Sequence, residues 1–298
     1  MMKNRKAIDR TIIEEFLYYM EDYRELAVNT IKNYRIDLDM LFDFLENNRI
    51  FNVKNVTIQH LHSFIFDRNK KGDAKSTRAR RISTIKSFFK YINKISELIE
   101  INPAIDLEIP KLDETNPEYL TLDEAKHLIQ SIDTPYKIRD TAIIVTFLNT
   151  GLRLSELTSI NISDIKGDML TIKGKGGKER VIYLNDMALN AINKYLKVRP
   201  ESDTDALFVS ERKKRINIST VQKMVKQNLE YADIDTEKIS THKFRHTAAT
   251  LMHKYGDVDI YTLKEVLGHA SVKTTERYTR VDNEELRNAV KSNPLNQI

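Results

Sequence analysis

Cysteine is missing from the 298-residue chain, and so are long apolar runs. Without cysteine the chain has no disulfide bond, no thiolate nucleophile and no thiolate zinc site. Apolar runs such as Ala142–Val145 are far shorter than the roughly 20 residues that a membrane-spanning helix needs. The apolar stretch after the basic N-terminus is interrupted by Glu14 and Glu15, which argues against a secretory signal sequence. These absences predict a soluble protein of the reducing cytoplasm.

Motifs that bind nucleotides or a catalytic metal ion are missing as well. No GxxxxGK[ST] phosphate-binding loop occurs in the sequence. His242 and His246 have the spacing of a metalloprotease helix, but Lys243 stands where that helix needs a glutamate to activate water. We therefore expect neither a metal ion nor an organic cofactor.

The composition is that of a globular protein with a basic balance. Apolar residues make up 41% of the chain and charged residues 31%, which is enough for a packed core. The net charge of +5 is only a mild indication of a polyanionic partner, because many cytosolic proteins are equally basic. The length exceeds that of a typical single domain and favours two domains.

The N-terminal segment, residues 1–110, has the apolar periodicity of helices throughout. Thr11 and Glu14 match a capping box ahead of the first apolar stripe. Three further stripes follow, the last of them containing Ile82 and Phe89. The segment is therefore predicted to be a four-helix domain with its own core.

Proline-rich sequence ends this first domain, and we place a linker at residues 111–118. A second domain, residues 119–298, is predicted to open with a capping box at Thr121. It is mostly helical, with one antiparallel hairpin of residues 169–173 and 179–183 and a short strand at Leu207–Val209. Its last part, residues 282–298, has the pattern of a helical tail with one apolar edge.

Five short motifs in the second domain contain the side chains that a metal-free attack on a phosphodiester requires. They are TGLRLSEL around Arg153, KGKGGKER around Lys175, HKFRH from His242 to His246, LGHAS around His269 and TTERYTR around Tyr278. Any one of these strings is a weak signal, whereas five of them in one order are a strong one.

Arginine is the residue that best stabilises the transition state of such an attack. The nonbridging oxygens of a phosphodiester repel a nucleophile, and a planar guanidinium supplies fixed positive charge to two oxygens at once. Arg153 and Arg245 are the candidates. Gly151 is expected to end one helix in the left-handed conformation, so that a second helix starts at a sharp corner near Arg153. Arg245 shares a helical face with His242, three residues earlier.

A lysine in the hairpin turn is a candidate general acid. A departing 5′ oxygen needs a proton, and glycines let the turn approach a nucleic-acid backbone closely. Lys173, Lys175 and Lys178 all satisfy this criterion.

A tyrosine is the candidate nucleophile. Its ordinary pKa of roughly 10 means that attack near neutral pH needs neighbouring positive charge or a base. Geometry alone would allow Tyr255 or Tyr261 as well as Tyr278 among the 13 tyrosines.

In order and wording, the five motifs resemble those of the tyrosine recombinases, and are similar to those of Xer-type chromosome-dimer resolvases and small phage or transposon integrases. The resemblance covers about residues 150–280. It implies a mainly α (α+β) protein of two domains. The first would be an N-terminal four-helix, SAM-like core-binding domain. The second would be a mainly helical catalytic domain with a small antiparallel sheet, the fold of DNA breaking–rejoining enzymes.

The resemblance also assigns roles to individual residues. The catalytic set that it implies is Arg153, Lys175, His242, Arg245, His269 and Tyr278, with Glu156 as a supporting residue that orients the arginine. Tyr278 would form a 3′-phosphotyrosyl bond and release a free 5′ hydroxyl. Because the ester energy is retained, rejoining would need neither ATP nor a divalent ion.

The implied activity is site-specific recombination of duplex DNA, for resolution of chromosome or plasmid dimers or for integration and excision of a mobile element. The implied assembly is a homo- or hetero-tetramer on two DNA sites, with or without a paralogous recombinase. The alternatives are a type IB topoisomerase-like enzyme and a catalytically silent DNA-binding accessory protein. The helical N-terminal half and the intact set of six residues favour the recombinase.

A basic cluster in the first domain fits a DNA partner. Between residues 68 and 90 there are nine basic residues and a single acid, Asp73. Most charged runs are simply solvated, but a helix that lies along a phosphate backbone has this arrangement. We predict that the following residues contact DNA: Arg68, Lys70, Lys71, Lys75, Arg78, Arg80, Arg81, Lys86 and Lys90.

Overall fold

The computed structural model describes residues 7–111, 118–174, 179–256, 258–268 and residue 275. The chain divides into two compact units, Met1–Thr115 and Asn116–Ile298. Each unit has its own apolar core. Within the described ranges, no helix has both the length and the apolar character needed to cross a bilayer.

The N-terminal unit is helical. Its elements are α1 (Thr11–Tyr18), a π-helical turn (Tyr19–Tyr23), α2 (Val28–Asn47), a 3₁₀ turn (Val53–Asn55), α3 (Ile58–Lys70) and α4 (Lys75–Lys94). The four predicted helices are present, and their apolar stripes meet in an aromatic core. Phe88 lies at its centre, with ring centroids 5.5 Å from Phe16 and 5.7 Å from Phe42.

The predicted capping box at Thr11 and Glu14 is wrong. Thr11 is the first residue of α1 rather than its cap, and its backbone N–H donates to Oδ1 of Asp9 at 2.9 Å. Glu14 instead forms an ion pair with Arg35 of α2. An earlier aspartate therefore takes the capping role that the sequence pattern assigned to Thr11.

The C-terminal unit is mainly helical with one small sheet. Its elements are α5 (Leu122–Gln130), α6 (Lys137–Thr150), α7 (Leu154–Ser159), a 3₁₀ turn (Ile162–Asp164), β1 (Ile165–Lys166), β2 (Met169–Lys173), β3 (Glu179–Tyr183), α8 (Asp186–Val198), α9 (Ile218–Tyr231), α10 (Thr241–Gly256) and α11 (Ile260–Leu267). The strands are antiparallel in the order β1-β2-β3, and Lys173 pairs with Glu179 at the end of the predicted hairpin. The capping box of α5 is also present, between Thr121 and Glu124.

The predicted strand at Leu207–Val209 is not a strand in the structure. The segment is buried and makes only isolated bridges: one joins Asn161 to Ala206, just before it, and one joins its last residue, Val209, to Arg215. Its apolar character therefore reflects burial in the core rather than pairing along a ladder.

The centre of the second core is α6. Ala142, Ile143, Ile144 and Val145 are all buried, so this helix is apolar on every side, as expected for a helix with packed neighbours all round. Burial on all sides fixes the position of its C-terminal end. That end is the corner at which Arg153 lies.

Candidate active site

The corner between α6 and α7 holds Arg153. Gly151 ends α6 with φ of +62°, the predicted left-handed cap. A Cβ at this glycine would lie 2.8 Å from Cδ2 of Leu267 and 3.4 Å from Cβ of Ala248, so α10 and α11 pack directly against the corner. Arg153 then occupies the N-cap position of α7.

Glu156 holds Arg153 at two points. The backbone N–H of Arg153 donates to Oε2 of Glu156 at 2.8 Å, and its Nη1 donates to Oε1 at 2.9 Å. Nη2 of Arg153 donates to the carbonyl of Gly268 at 3.2 Å. The Arg153 side chain is 46% exposed, whereas Glu156 is only 5% exposed. The guanidinium is thus oriented by a buried carboxylate and remains accessible from solvent.

Arg180 of β3, which the sequence analysis did not single out, also binds Glu156. Its Nη1 donates to Oε1 and its Nη2 to Oε2, both at 2.9 Å. In β3, Arg180 and the buried Ile182 share one face, while Glu179, Val181 and Tyr183 are exposed on the other. Nothing in the sequence signalled this placement, because the exposed face carries the apolar Val181 and Tyr183.

These contacts determine the ionisation of Glu156. Burial raises the pKa of its carboxyl group, but hydrogen bonds from Arg180 and Arg153, together with the charge of Arg180, outweigh burial. The net result is a pKa below the ordinary value. Glu156 is therefore ionised at neutral pH despite its burial.

Arg245 lies in α10 and is 8% exposed. Its Nη1 donates to the carbonyl of Gly151 and its Nη2 to the carbonyl of Leu267, both at 2.7 Å. Arg153 and Arg245 therefore meet at the end of α11, where they bind the consecutive carbonyls of Gly268 and Leu267. His242 is exposed in the first turn of the same helix as Arg245.

The structure thus brings together Arg153, Glu156 and Arg245 of the predicted set. Lys175, His269 and Tyr278 lie outside the described residues, as does the rival Lys178. Lys173, the other rival, is described at the end of β2, where its Nζ lies 3.8 Å from Glu179. Among the residues that the structure describes, no three His, Cys, Asp or Glu side chains are grouped closely enough to hold a metal ion.

One member of the predicted DNA-contact set, Arg81, is a structural residue instead. It is 5% exposed, with Nη1 2.6 Å from Oδ1 of Asp37 and Nε 2.7 Å from Oδ2 of Asp73. Asp37 is buried and also accepts hydrogen bonds from Arg80 and Thr84. The prediction that Arg81 contacts DNA was wrong, because α4 turns this guanidinium toward Asp37 and Asp73 of its own unit.

Other members of the set have intramolecular bonds too. Arg68 binds Asp73 through two nitrogens, at 3.0 and 2.8 Å, and this hydrogen bonding lowers the pKa of Asp73 to about 2. Nζ of Lys86 donates to two backbone carbonyls at 2.8 and 2.9 Å. Lys70, Lys71 and Lys90 are exposed. The remaining members are partly buried: Lys75, Arg78 and Arg80.

Comparisons with known proteins agree with this architecture. The model of the phage integrase family matches residues 118–285, and that of the phage integrase N-terminal SAM-like domain matches residues 13–94. Tyrosine recombinase XerC of Caldanaerobacter subterraneus subsp. tengcongensis is 46% identical, over 96% of this chain and 87% of the relative. Tyrosine recombinase XerD of Proteus mirabilis is 33% identical, over 95% of this chain and 93% of the relative.

Solved structures of recombinases also agree with this architecture. The crystal structure of XerA recombinase is 30% identical, with a TM-score of 0.53 and coverage of 95% of this chain and 98% of that one. XerH recombinase in a post-cleavage complex with its palindromic difH substrate is 22% identical and has a TM-score of 0.76, covering 97% of this chain and 91% of that one. The XerH likeness is one of fold.

The chain therefore belongs to the phage integrase family. Within that family it is a site-specific tyrosine recombinase of the Xer type. The comparisons confirm the resemblance and the enzyme class. They also confirm the fold: a SAM-like helical domain and a mainly helical catalytic domain with a small sheet. The topoisomerase-like enzyme and the silent accessory protein are not favoured.

Proposed function

We propose that this protein recombines duplex DNA at specific sites by cutting one strand through a 3′-phosphotyrosyl intermediate and rejoining it to a new partner strand. The observation that carries the proposal is the meeting of Arg153 and Arg245 at the carbonyls of Gly268 and Leu267. In the sequence these carbonyls come directly before His269 and about ten residues before Tyr278. The two guanidiniums thus lie where the chain leads into the proposed nucleophile segment.

The guanidiniums supply the positive charge that the transition state needs. Arg245 is held by two backbone carbonyls and Arg153 by Glu156, so both are oriented before DNA binds. Donors that are already in place do not have to reorganise when charge develops on the nonbridging oxygens. His242 and His269 complete the proposed set of donors.

The covalent step would be a substitution at phosphorus. The Tyr278 hydroxyl gives its proton to a neighbouring base or to solvent and its oxygen forms a bond to phosphorus, while the bond from phosphorus to the 5′ oxygen breaks and the leaving oxygen takes a proton from Lys175. In the reverse direction a 5′ hydroxyl of another strand returns its proton to Lys175 and attacks phosphorus, and Tyr278 leaves and regains a proton. Each step exchanges one phosphate ester for another, so no ATP is consumed.

The proposed partners are a duplex recombination site and further recombinase protomers, of this chain or of a paralogue. XerH has been crystallised with a difH substrate and lambda integrase as a tetramer bound to a Holliday junction, which supports both partners. The DNA surface of the N-terminal unit would include the exposed Lys70, Lys71 and Lys90. The reaction would take place in the cytoplasm, on chromosomal or mobile-element DNA.

The test begins with selection of bound duplexes from a random-sequence library. The selected sequence is then nicked near its centre, so that cleavage releases a short fragment and traps the covalent adduct. We expect adduct formation in EDTA without ATP, at one strand position. Binding without an adduct would indicate a silent DNA-binding protein, and relaxation of supercoiled DNA without sequence preference would indicate a topoisomerase.

A further inference from the structure

We propose that Arg180 is a positioning residue for recombination: through Glu156 it fixes Arg153 in its phosphate-binding orientation and leaves the cluster of the three side chains with net positive charge. This inference rests on the function proposed above. Arg180 belongs to β3, the strand that follows the hairpin turn containing Lys175. It would therefore join the hairpin to the phosphate-binding corner.

Arg180 controls the orientation of Glu156 through hydrogen bonds to both carboxylate oxygens. Oε1 accepts from Nη1 of Arg153 and from Nη1 of Arg180, while Oε2 accepts from the Arg153 backbone N–H and from Nη2 of Arg180. Each carboxylate oxygen thus accepts two hydrogen bonds, which uses the full acceptor capacity of the group. The two bonds from Arg180 hold the carboxylate plane, and that plane sets the direction of the Arg153 guanidinium.

Arg180 also sets the net charge of the three side chains. A pair of Arg153 and Glu156 alone would be neutral and would offer a phosphate little attraction. Arg180 adds a second guanidinium, so the three side chains carry one net positive charge. Because Arg180 is mostly buried, solvent screens its charge only weakly.

Arg180 also packs against Gly268. A Cβ at Gly268 would lie 2.9 Å from both Cζ and Nε of Arg180, so the guanidinium lies directly against the glycine backbone. The carbonyl of the same glycine accepts from Arg153. The Nε of Arg180 is buried without a hydrogen-bond partner among the residues described. Both Nη atoms donate instead to Glu156, as expected if this side chain orients the carboxylate.

Arg180→Gln tests the inference in single-turnover cleavage of the nicked duplex obtained by selection. We expect cleavage to slow about 10- to 100-fold, because small displacements of a positioned group have effects of this size. Binding of the same duplex should change less than about twofold, since many other contacts determine affinity. Arg180→Lys, whose ammonium lacks the planar fork, should have an intermediate rate.

The pH profile distinguishes positioning from a purely structural role. Among the described residues, the charged groups acting on Glu156 are Arg180 and Arg153, and they hold its pKa below the ordinary value. Without Arg180, burial raises this pKa and is opposed by Arg153 alone. The Arg180→Gln variant should therefore lose cleavage rate as pH falls from neutral into the mildly acidic range. Over the same range the ratio of variant to wild-type rate should decrease.

A coupled substitution tests the route through Glu156. In a Glu156→Gln background, adding Arg180→Gln should slow cleavage by less than about threefold, because the carboxylate through which Arg180 acts is already gone. Arg199→Gln is the matched control. Arg199 is a half-buried arginine of the same unit that bonds to the carbonyls of Thr204 and Ala206. Its loss should lower the melting temperature without changing the pH profile of cleavage.

The outcomes separate this inference from the proposed function. A wild-type cleavage rate in Arg180→Gln would overturn the inference. If the glutamine variant does not fold, a wild-type cleavage rate in Arg180→Lys would overturn it. The inference would also be overturned if Arg180→Gln cleaved slowly but its rate ratio to wild type did not change with pH, and if its fold-reduction in rate multiplied fully with that of Glu156→Gln. In both cases an adduct formed by the wild-type protein would leave the proposed function intact.

Discussion

Arg153 and Arg245 contribute the same chemical group to the proposed site in different settings. Arg245 is buried and binds two backbone carbonyls, so it also joins the α6–α7 corner to the end of α11. Arg153 is half exposed and depends on Glu156 for its orientation. Loss of Arg245 should therefore affect stability as well as chemistry, and loss of Arg153 mainly chemistry.

Arg153→Ala and Arg245→Ala are each expected to slow single-turnover cleavage by at least about 100-fold, the usual effect of removing a transition-state donor. Binding of the selected duplex should fall much less, because the interaction is strongest when charge develops at phosphorus. Thermal unfolding should show a lower melting temperature for Arg245→Ala than for Arg153→Ala. Equal losses of binding and cleavage would make both arginines simple backbone contacts.

Lys175→Ala is expected to cleave the natural duplex slowly. Its cleavage rate should recover on a duplex that has sulfur in place of the leaving 5′ oxygen. A thiolate leaves without a proton, so the general acid is no longer needed. Lys173→Ala and Lys178→Ala serve as matched controls from the same hairpin, and neither should show such recovery. Recovery in one of the controls instead of Lys175→Ala would reassign the proton donor.

At the scale of elements, the site depends on a corner that strongly favours glycine. A side chain at Gly151 would be strained by the positive φ and would also clash with the buried Leu267. This corner sets the start of α7, and Arg153 and Glu156 are placed by that start.

Gly151→Ala is expected to lower the free energy of unfolding by about 2–4 kcal/mol, which combines left-handed strain with overpacking. Gly167→Ala is the matched control, because Gly167 has φ of +63° and its Cβ would meet nothing within 4 Å. The control should lose only about 1–2 kcal/mol from strain. Urea unfolding measures both, and equal losses would show that packing against Leu267 is unimportant.

Elements whose signals are local could be predicted from the sequence. The hairpin and the α5 capping box follow from short-range patterns, and the left-handed end of α6 follows from Gly151. The buried Leu207–Val209 segment could not be distinguished from a strand, because apolar residues mark burial and not pairing. Arg180 was missed since its partner, Glu156, lies 24 residues away in the chain.

Whole-molecule charge gives only a partial guide to the DNA surface. The basic cluster of the N-terminal unit looked uniform in sequence, but Arg81 and Arg68 neutralise Asp37 and Asp73 within the unit. Partners such as Asp37 are distant in the chain and become visible only when α2 and α4 pack together. Exposed lysines such as Lys70, Lys71 and Lys90 are better candidates for phosphate contacts.

Asp37→Ala is expected to destabilise the N-terminal unit by about 3–5 kcal/mol, because it leaves buried guanidinium charge without this partner. Asp39→Ala removes an exposed partner of Arg10 and should have an effect of about 0–1 kcal/mol. Hydrogen exchange should accelerate in residues 11–94 of Asp37→Ala and remain unchanged in residues 118–256, since each unit has its own core. Uniform acceleration across the chain would mean that the two units unfold together.

The most direct measurement is adduct formation by Tyr278→Phe on the nicked, selected duplex in EDTA, together with peptide mapping of the wild-type adduct. We predict that the variant binds the duplex like wild type and forms no adduct, and that the DNA in the wild-type adduct is attached to Tyr278. An adduct that persists in Tyr278→Phe, or one that maps to Tyr255 or Tyr261, would contradict the proposed mechanism.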